Sequence, residues 1–427
     1  MSQRSGVLAR GISPLIQAAL LSAVYAVASA DVDDGMTAPL PPQPSSSTDV
    51  YAIGQWSYDN NIYRLPSSIT NLSDFVGPNA SREDHIYSAG LGVDEHWIYG
   101  LQSLDVDAQV SHNWFLSNGD LDNTQITANA IDNWQIGPLA TGEIGEIFSR
   151  SLSNFANTGV YVRDLVDSSE PFATGRFHIA PRWTLIGAVR YRDITHSSSE
   201  LEIDDFQASS GNAGIEYALK SDSSIGWEYR YTDGRFRYPT STDINGLPFN
   251  RNYKEDTGKA LLKYVIGSDV TIDASAGYLK RMYPQSTIGA FSGDVWRASL
   301  QWKVTAITQI ALSGWRELRA YVESESNYFV AQGASIAPTW TPTERLSVAV
   351  IASYEDQHFV AANASVDASS LRHDSLRSAL ATITYMPRDP VKIALSLQHS
   401  IRDSNFSQFQ FSDNLVTLDV TGVIWAR

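Results

Sequence analysis

Residues 226–232 read GWEYRYT, with Trp227, Tyr229 and Tyr231 alternating with Glu228, Arg230 and Thr232. A period of two is that of a β-strand, whose successive side chains point to opposite faces. The same alternation recurs along the chain. Leu346, Val348, Val350, Ala352 and Tyr354 share one parity, with Ser347, Ser353 and Glu355 on the other. Val391, Ile393, Leu395 and Leu397 oppose Lys392, Ser396, Gln398 and Arg402, and Trp296, Ala298, Leu300 and Trp302 oppose Arg297, Ser299, Gln301 and Lys303. Trp296 and Trp302 bracket an apolar centre, as Trp183 and Tyr191 do around Leu185, Gly187 and Val189. Aromatics at both ends of an apolar stripe fit the two interfacial girdles of a membrane barrel, so these faces are expected to meet lipid.

Connections between the strands alternate in length. Short turns are expected at 94–97, 136–140, 180–183, 220–224, 266–269, 304–308, 341–344 and 386–390, and a longer polar stretch separates each from the next. Eight short and nine long connections join 18 strands. That is the layout of a single transmembrane antiparallel β-barrel, with short periplasmic turns, long external loops and both termini on the periplasmic side. A soluble sandwich is disfavoured because its strands are typically about 5–6 residues long. A propeller would show a higher four-strand period, which is absent here.

The barrel is expected to occupy residues 50–427. Before it, Arg4 and Arg10, the apolar run ISPLIQAALLSAVYAV and Ala28-Ser29-Ala30 read as a signal peptide over 1–30. Residues 31–49 are rich in Pro, Ser and Asp and read as a periplasmic tether. Together these place the mature chain in the bacterial outer membrane, with its lipid as a partner.

Charge and composition narrow the chemistry. The formal charge of −16 argues against nucleic acid, which needs clustered Lys and Arg. No Cys is present, so thiolate catalysis and thiolate metal sites are excluded. The eight His are scattered without ligand spacing, and no H-E-x-x-H, Walker A or G-x-S-x-G motif occurs. No enzyme activity, cofactor or metal is therefore expected. Asp120 and Asp122 read as a solvated loop rather than a calcium site, and His112, His196 and His358 lie near strand ends without a legible catalytic partner.

The inward parity carries the charge. Expected along the lumen are Arg190, Arg192, Glu228, Arg230, Arg297, Lys303, Arg345, Lys392 and Arg402 as substrate-path candidates, with Asp105, Asp107, Glu216, Lys263, Asp273, Arg281 and Glu355 beside them. Bases outnumber acids in this set, so a mildly cationic lumen is expected. Such a lumen favours anions. Pairing across strands is the plainer role for each charge.

The first strand and its exit read YAIGQWSYDNNIYRLP, with Tyr58, Asp59, Asn60, Asn61, Ile62, Tyr63 and Arg64 in succession. This run resembles the opening of the beta-barrel porin 2 family and of its EpsL-like members from exosortase-associated exopolysaccharide systems. The strand exits VRYRDITHSS and YRYTDGRFRYP are similar to those of the same family. The resemblance implies an outer-membrane barrel through which a secreted exopolysaccharide leaves the cell, working with periplasmic polysaccharide-export components. Asp59, Asn60, Asn61 and Arg64 stand where the first strand enters a 25-residue loop, which favours a structural role for them over sugar binding. Two other readings stay open: a general diffusion porin, and a plugged barrel that anchors export machinery through residues 31–49.

Overall fold

The computed structural model of the chain describes residues 46–220, 222–242, 248–284, 290–320, 326–361 and 371–427. The signal peptide expected over 1–30 and most of the expected tether lie outside these residues. The first strand begins at Ser47, so it takes in the last residues assigned to the tether.

Eighteen strands form one sheet. They are β1 (Ser47–Asp59), β2 (Asp84–Tyr99), β3 (Gln102–Phe115), β4 (Asn123–Ile136), β5 (Ala140–Leu152), β6 (Leu165–Ala180), β7 (Trp183–His196), β8 (Phe206–Lys220) and β9 (Ser223–Phe236). The second half holds β10 (Tyr253–Ile266), β11 (Val270–Met282), β12 (Phe291–Thr305), β13 (Thr308–Ala320), β14 (Ser326–Thr343), β15 (Leu346–Ala361), β16 (His373–Arg388), β17 (Val391–Ser404) and β18 (Phe411–Ala426). Each pairs antiparallel with its sequence neighbours. β1 also pairs with β18, Trp56 opposite Leu418 and Tyr58 opposite Val416, which closes the barrel and leaves no edge. A bulge at Val50/Tyr51 lets the two terminal strands meet in register.

The two faces sort as alternation predicts. Trp227, Tyr229 and Tyr231 are 52%, 40% and 38% exposed on the outside, whereas Glu228 between them is buried on the inside. Outward aromatics gather at both ends of the strands. Trp97, Trp183, Tyr264, Trp302, Trp340 and Tyr385 mark the periplasmic end, and Tyr87, Trp114, Tyr191, Tyr231, Tyr278 and Tyr354 the external end. Between the girdles, Ile383, Leu395 and Leu418 line up across three neighbouring strands, all open to lipid. Arg at Leu395 is expected to cost about 2–4 kcal/mol, the range for a cation near the bilayer midplane on a barrel's lipid face. Folding yield into lipid vesicles at graded urea measures this.

The short turns fall close to their expected places, with one shift. Asp94, Glu95 and His96 belong to β2, and the turn is Gly100-Leu101, where Gly100 takes a φ of +75°. Their polarity imitated a turn because these positions lie at the wet periplasmic rim. Every described connection at that end is three residues or fewer. The external connections are long and carry structure of their own, including the helix α1 (Phe155–Thr158) and a small hairpin pairing Thr240–Thr242 with Pro248–Asn250.

Candidate functional site: the external third of the lumen

Two external connections are held against the inner wall. The first, residues 60–83, leaves β1 through the motif described above. Asn60 continues the ladder onto β18, donating from its backbone to the Asn414 carbonyl and accepting the Asn414 N–H on its side chain. Asn61 caps the turn, its side chain accepting from the Leu65 N–H at 3.0 Å and donating to the Leu65 and Ser412 carbonyls at 2.9 and 3.0 Å. The Arg64 guanidinium donates to both Asp59 oxygens and, at 2.8 Å, to Asp413 of β18. Arg64 does so from a left-handed backbone, φ +56°. A non-glycine residue in that region is held there by its surroundings. Asp59, Asn60, Asn61 and Arg64 thus fasten the loop to the barrel seam.

The interior of this connection is apolar. Ile62, Tyr63 and Leu65 are buried against Phe115, Leu121 and Phe155. Burial, with the Asp84 and Asp120 carboxylates nearby, pushes the Tyr63 hydroxyl up to about 12. It is therefore a neutral donor, and it bonds the Asn118 side chain at 3.1 Å. Arg82 closes the loop on itself by donating to the Leu65, Pro66 and Ile69 carbonyls.

The second connection, residues 153–164, crosses the lumen. Asn154 caps α1 by accepting the Ala156 N–H. Phe155 packs on Tyr63, ring centroids 5.1 Å apart. The Ala156 carbonyl accepts from the Arg402 guanidinium on β17, a contact between residues 246 apart in sequence. β17 lies across the barrel from β5 and β6, which carry this connection. Arg402 is fully buried, with Asp374 at 3.6 Å and the Phe411 ring at 5.2 Å. Beneath α1 lies a partly open pocket, bounded above by Arg64, Asn154 and Ala156 and walled by β13–β18. Trp315, Glu355, Gln398, Ser400 and Asp413 supply its polar lining.

The lumen candidates fall into three groups. Arg190 and Arg192 both engage Glu170, Arg230 approaches Glu228 at 3.4 Å, and Arg297 pairs with Glu317. With Arg281–Glu255 at 2.7 Å and Arg319–Glu355 at 2.9 Å they form a belt of inward arginine–carboxylate pairs. Lys303 and Lys392 stand on the inner face at the periplasmic end, Lys392 near Asp419. On the β2–β5 side of that end, Asp105 accepts from Asn133 at 2.9 Å and Asp107 from Tyr51 at 3.3 Å.

Arg345 is a correction. It lies in the Glu344-Arg345 turn rather than on the lumen wall, exposed, its guanidinium on the Pro387 carbonyl. Its inward parity was extrapolated past the end of β15. The mildly cationic lumen is revised as well. Glu170, Glu255, Glu317, Asp374 and Asp413 all face inward against the arginines, and none was among the expected lumen residues. Arg176, which meets Glu216, and Arg319 and Arg372 were also missed.

One further grouping escaped the sequence reading, which found no His at ligand spacing. Asp356 and His358 share the outer face of β15, and register brings His373 of β16 directly opposite His358.

Residues 249–423 match the sequence model of the family described as Putative beta-barrel porin 2, a stretch that takes in β10 to β18. Among solved structures, the chain is similar to the outer-membrane protein OpdK of Pseudomonas aeruginosa, at 12% identity and a TM-score of 0.47, covering 90% of this chain and 99% of that one. It is likewise similar to OccK2 (OpdF) of the same organism in complex with glucuronate, at 11% identity and a TM-score of 0.47, covering 88% and 98%. OccK3 (OpdO) follows at 13% and 0.45, covering 88% and 96%. A comparison with curated proteins finds no match. The closed ladder and the outward apolar belt with its aromatic girdles make this chain a transmembrane β-barrel of the bacterial outer membrane.

Proposed function

We propose that this barrel is a passive channel for small hydrophilic solutes, with residues 60–83 and 153–164 setting the size limit at its external third. The observation that carries the reading is the bond from Arg402 to the Ala156 carbonyl across the lumen. An 18-stranded barrel is wide enough for an aqueous channel unless something fills it. Here a packed helix and an apolar loop core occupy part of the external end, above an open pocket whose mostly apolar walls carry a few polar side chains. Selectivity rests on width more than on charge, because the inward arginines face carboxylates and their fields largely cancel at a distance.

Export of an exopolysaccharide, which the opening motif implies, would require both connections to leave the lumen. The burial of Tyr63, Leu65 and Phe155 opposes that. Swelling of proteoliposomes tests the choice. Pentoses and hexoses are expected to enter, with rates falling steeply for oligosaccharides. Equal rates for long oligosaccharides would favour polymer passage, and no entry of any solute would favour a plugged anchor.

A further inference from the structure

We propose that Asp356, His358 and His373 form a transition-metal site on the outer wall of the barrel, at its external rim, with Zn²⁺ as the ion it fits. Asp356 and His358 are two apart on β15 and so share a face. His373 opens β16 and pairs directly with His358. The two imidazoles stack, centroids 4.3 Å apart and 8° from parallel. Each turns its Nε2 to a different oxygen of Asp356, both at 2.6 Å. One ligand atom from each residue lies within 4.8 Å of the others.

The arrangement does more than hydrogen bonding requires. Two exposed imidazoles and a partly buried carboxylate on two strands converge on one point, and such surface contacts return little stability for the rotamer freedom they cost. Zinc takes imidazole nitrogen at about 2.0–2.1 Å and carboxylate oxygen at about 2.0–2.2 Å in tetrahedral sets, often with three protein ligands and one open position. Two imidazoles with one carboxylate select zinc, copper or nickel over calcium and magnesium, which prefer oxygen. Binding needs each neutral ring to carry its proton on Nδ1, so that Nε2 offers its lone pair to the ion. The side chains of His358 and His373 are 56% and 50% exposed, so the ion has a route in. Tyr354, outward on the same strand and two residues nearer the lipid belt, sets the site at its external edge. A bound ion would staple β15 to β16.

The test uses full-length barrel folded in detergent, without a polyhistidine tag and stripped with EDTA, titrated with Zn²⁺ alone in a calorimeter. Stoichiometric binding is expected, weakened about tenfold or more in Asp356→Asn and abolished in the His358→Ala/His373→Ala double variant. Heat-dependent gel migration verifies that each variant is folded. Absence of binding to the native chain, or binding undiminished in the folded double variant, overturns the proposal.

Discussion

Replacing Arg64 with Ala is expected to destabilise the barrel by about 3–5 kcal/mol, the cost of leaving buried charge without its partner. Arg64 is shared by two carboxylates, Asp59 and Asp413, with side chains 6% and 1% exposed. Without the guanidinium the two acids face each other across the seam between β1 and β18, where the barrel closes. The loss therefore falls on the contact that makes the sheet a barrel and also on the entry to residues 60–83. Arg64→Lys retains the charge but not the planar fork, so it is expected to recover only part of the stability. Urea unfolding in lipid vesicles, followed by tryptophan fluorescence, gives both values. An Arg64→Ala barrel as stable as the native chain would show that the seam does not depend on this pair.

Shortening the connection that crosses the lumen has the second large effect. With residues 155–161 replaced by a Gly-Ser linker, Leu152 still pairs with Leu165 and the sheet keeps its ladder. The lumen loses α1, the Phe155–Tyr63 contact and the acceptor for Arg402. Single-channel conductance is expected to rise by about twofold or more, as the lumen approaches the open width of a barrel this size. Arg402→Gln, which removes the charge but keeps a donor, is expected to leave mean conductance near native and raise its fluctuation. Unchanged conductance in the shortened chain would mean the narrowest point lies elsewhere.

The barrel was legible because its determinants are local. Alternation in stretches such as Gly226–Thr232 fixes strand and face together, since a slip of one residue would turn Trp227, Tyr229 and Tyr231 into the lumen. The site was less legible because its contacts are remote. Arg64 meets Asp413 across 349 residues, and nothing near either residue announces the other. Residues 60–83 have no strand or helix period, so their apolar Ile62, Tyr63 and Leu65 read as loop when they are the core of an inward fold. Glu170 was lost because Asp167, Ser168 and Ser169 beside it are polar on both faces, and that part of β6 passed for a loop. The opening motif stands at a strand exit, and its side chains make local contacts to the turn and to β18 there. The metal-ligating trio depends on cross-strand register between β15 and β16, which spacing along the chain does not express.

The constriction at the external third is tested most directly by neutral polymers added to one side of a single channel in a planar bilayer. The described connections at the periplasmic end are three residues or fewer, while residues 60–83 and 153–164 pack inward at the other end, where we place the size limit. Polyethylene glycol of intermediate mass should therefore enter and lower the conductance from the periplasmic side, and be excluded from the external side. Equal partitioning from both sides would contradict an external constriction.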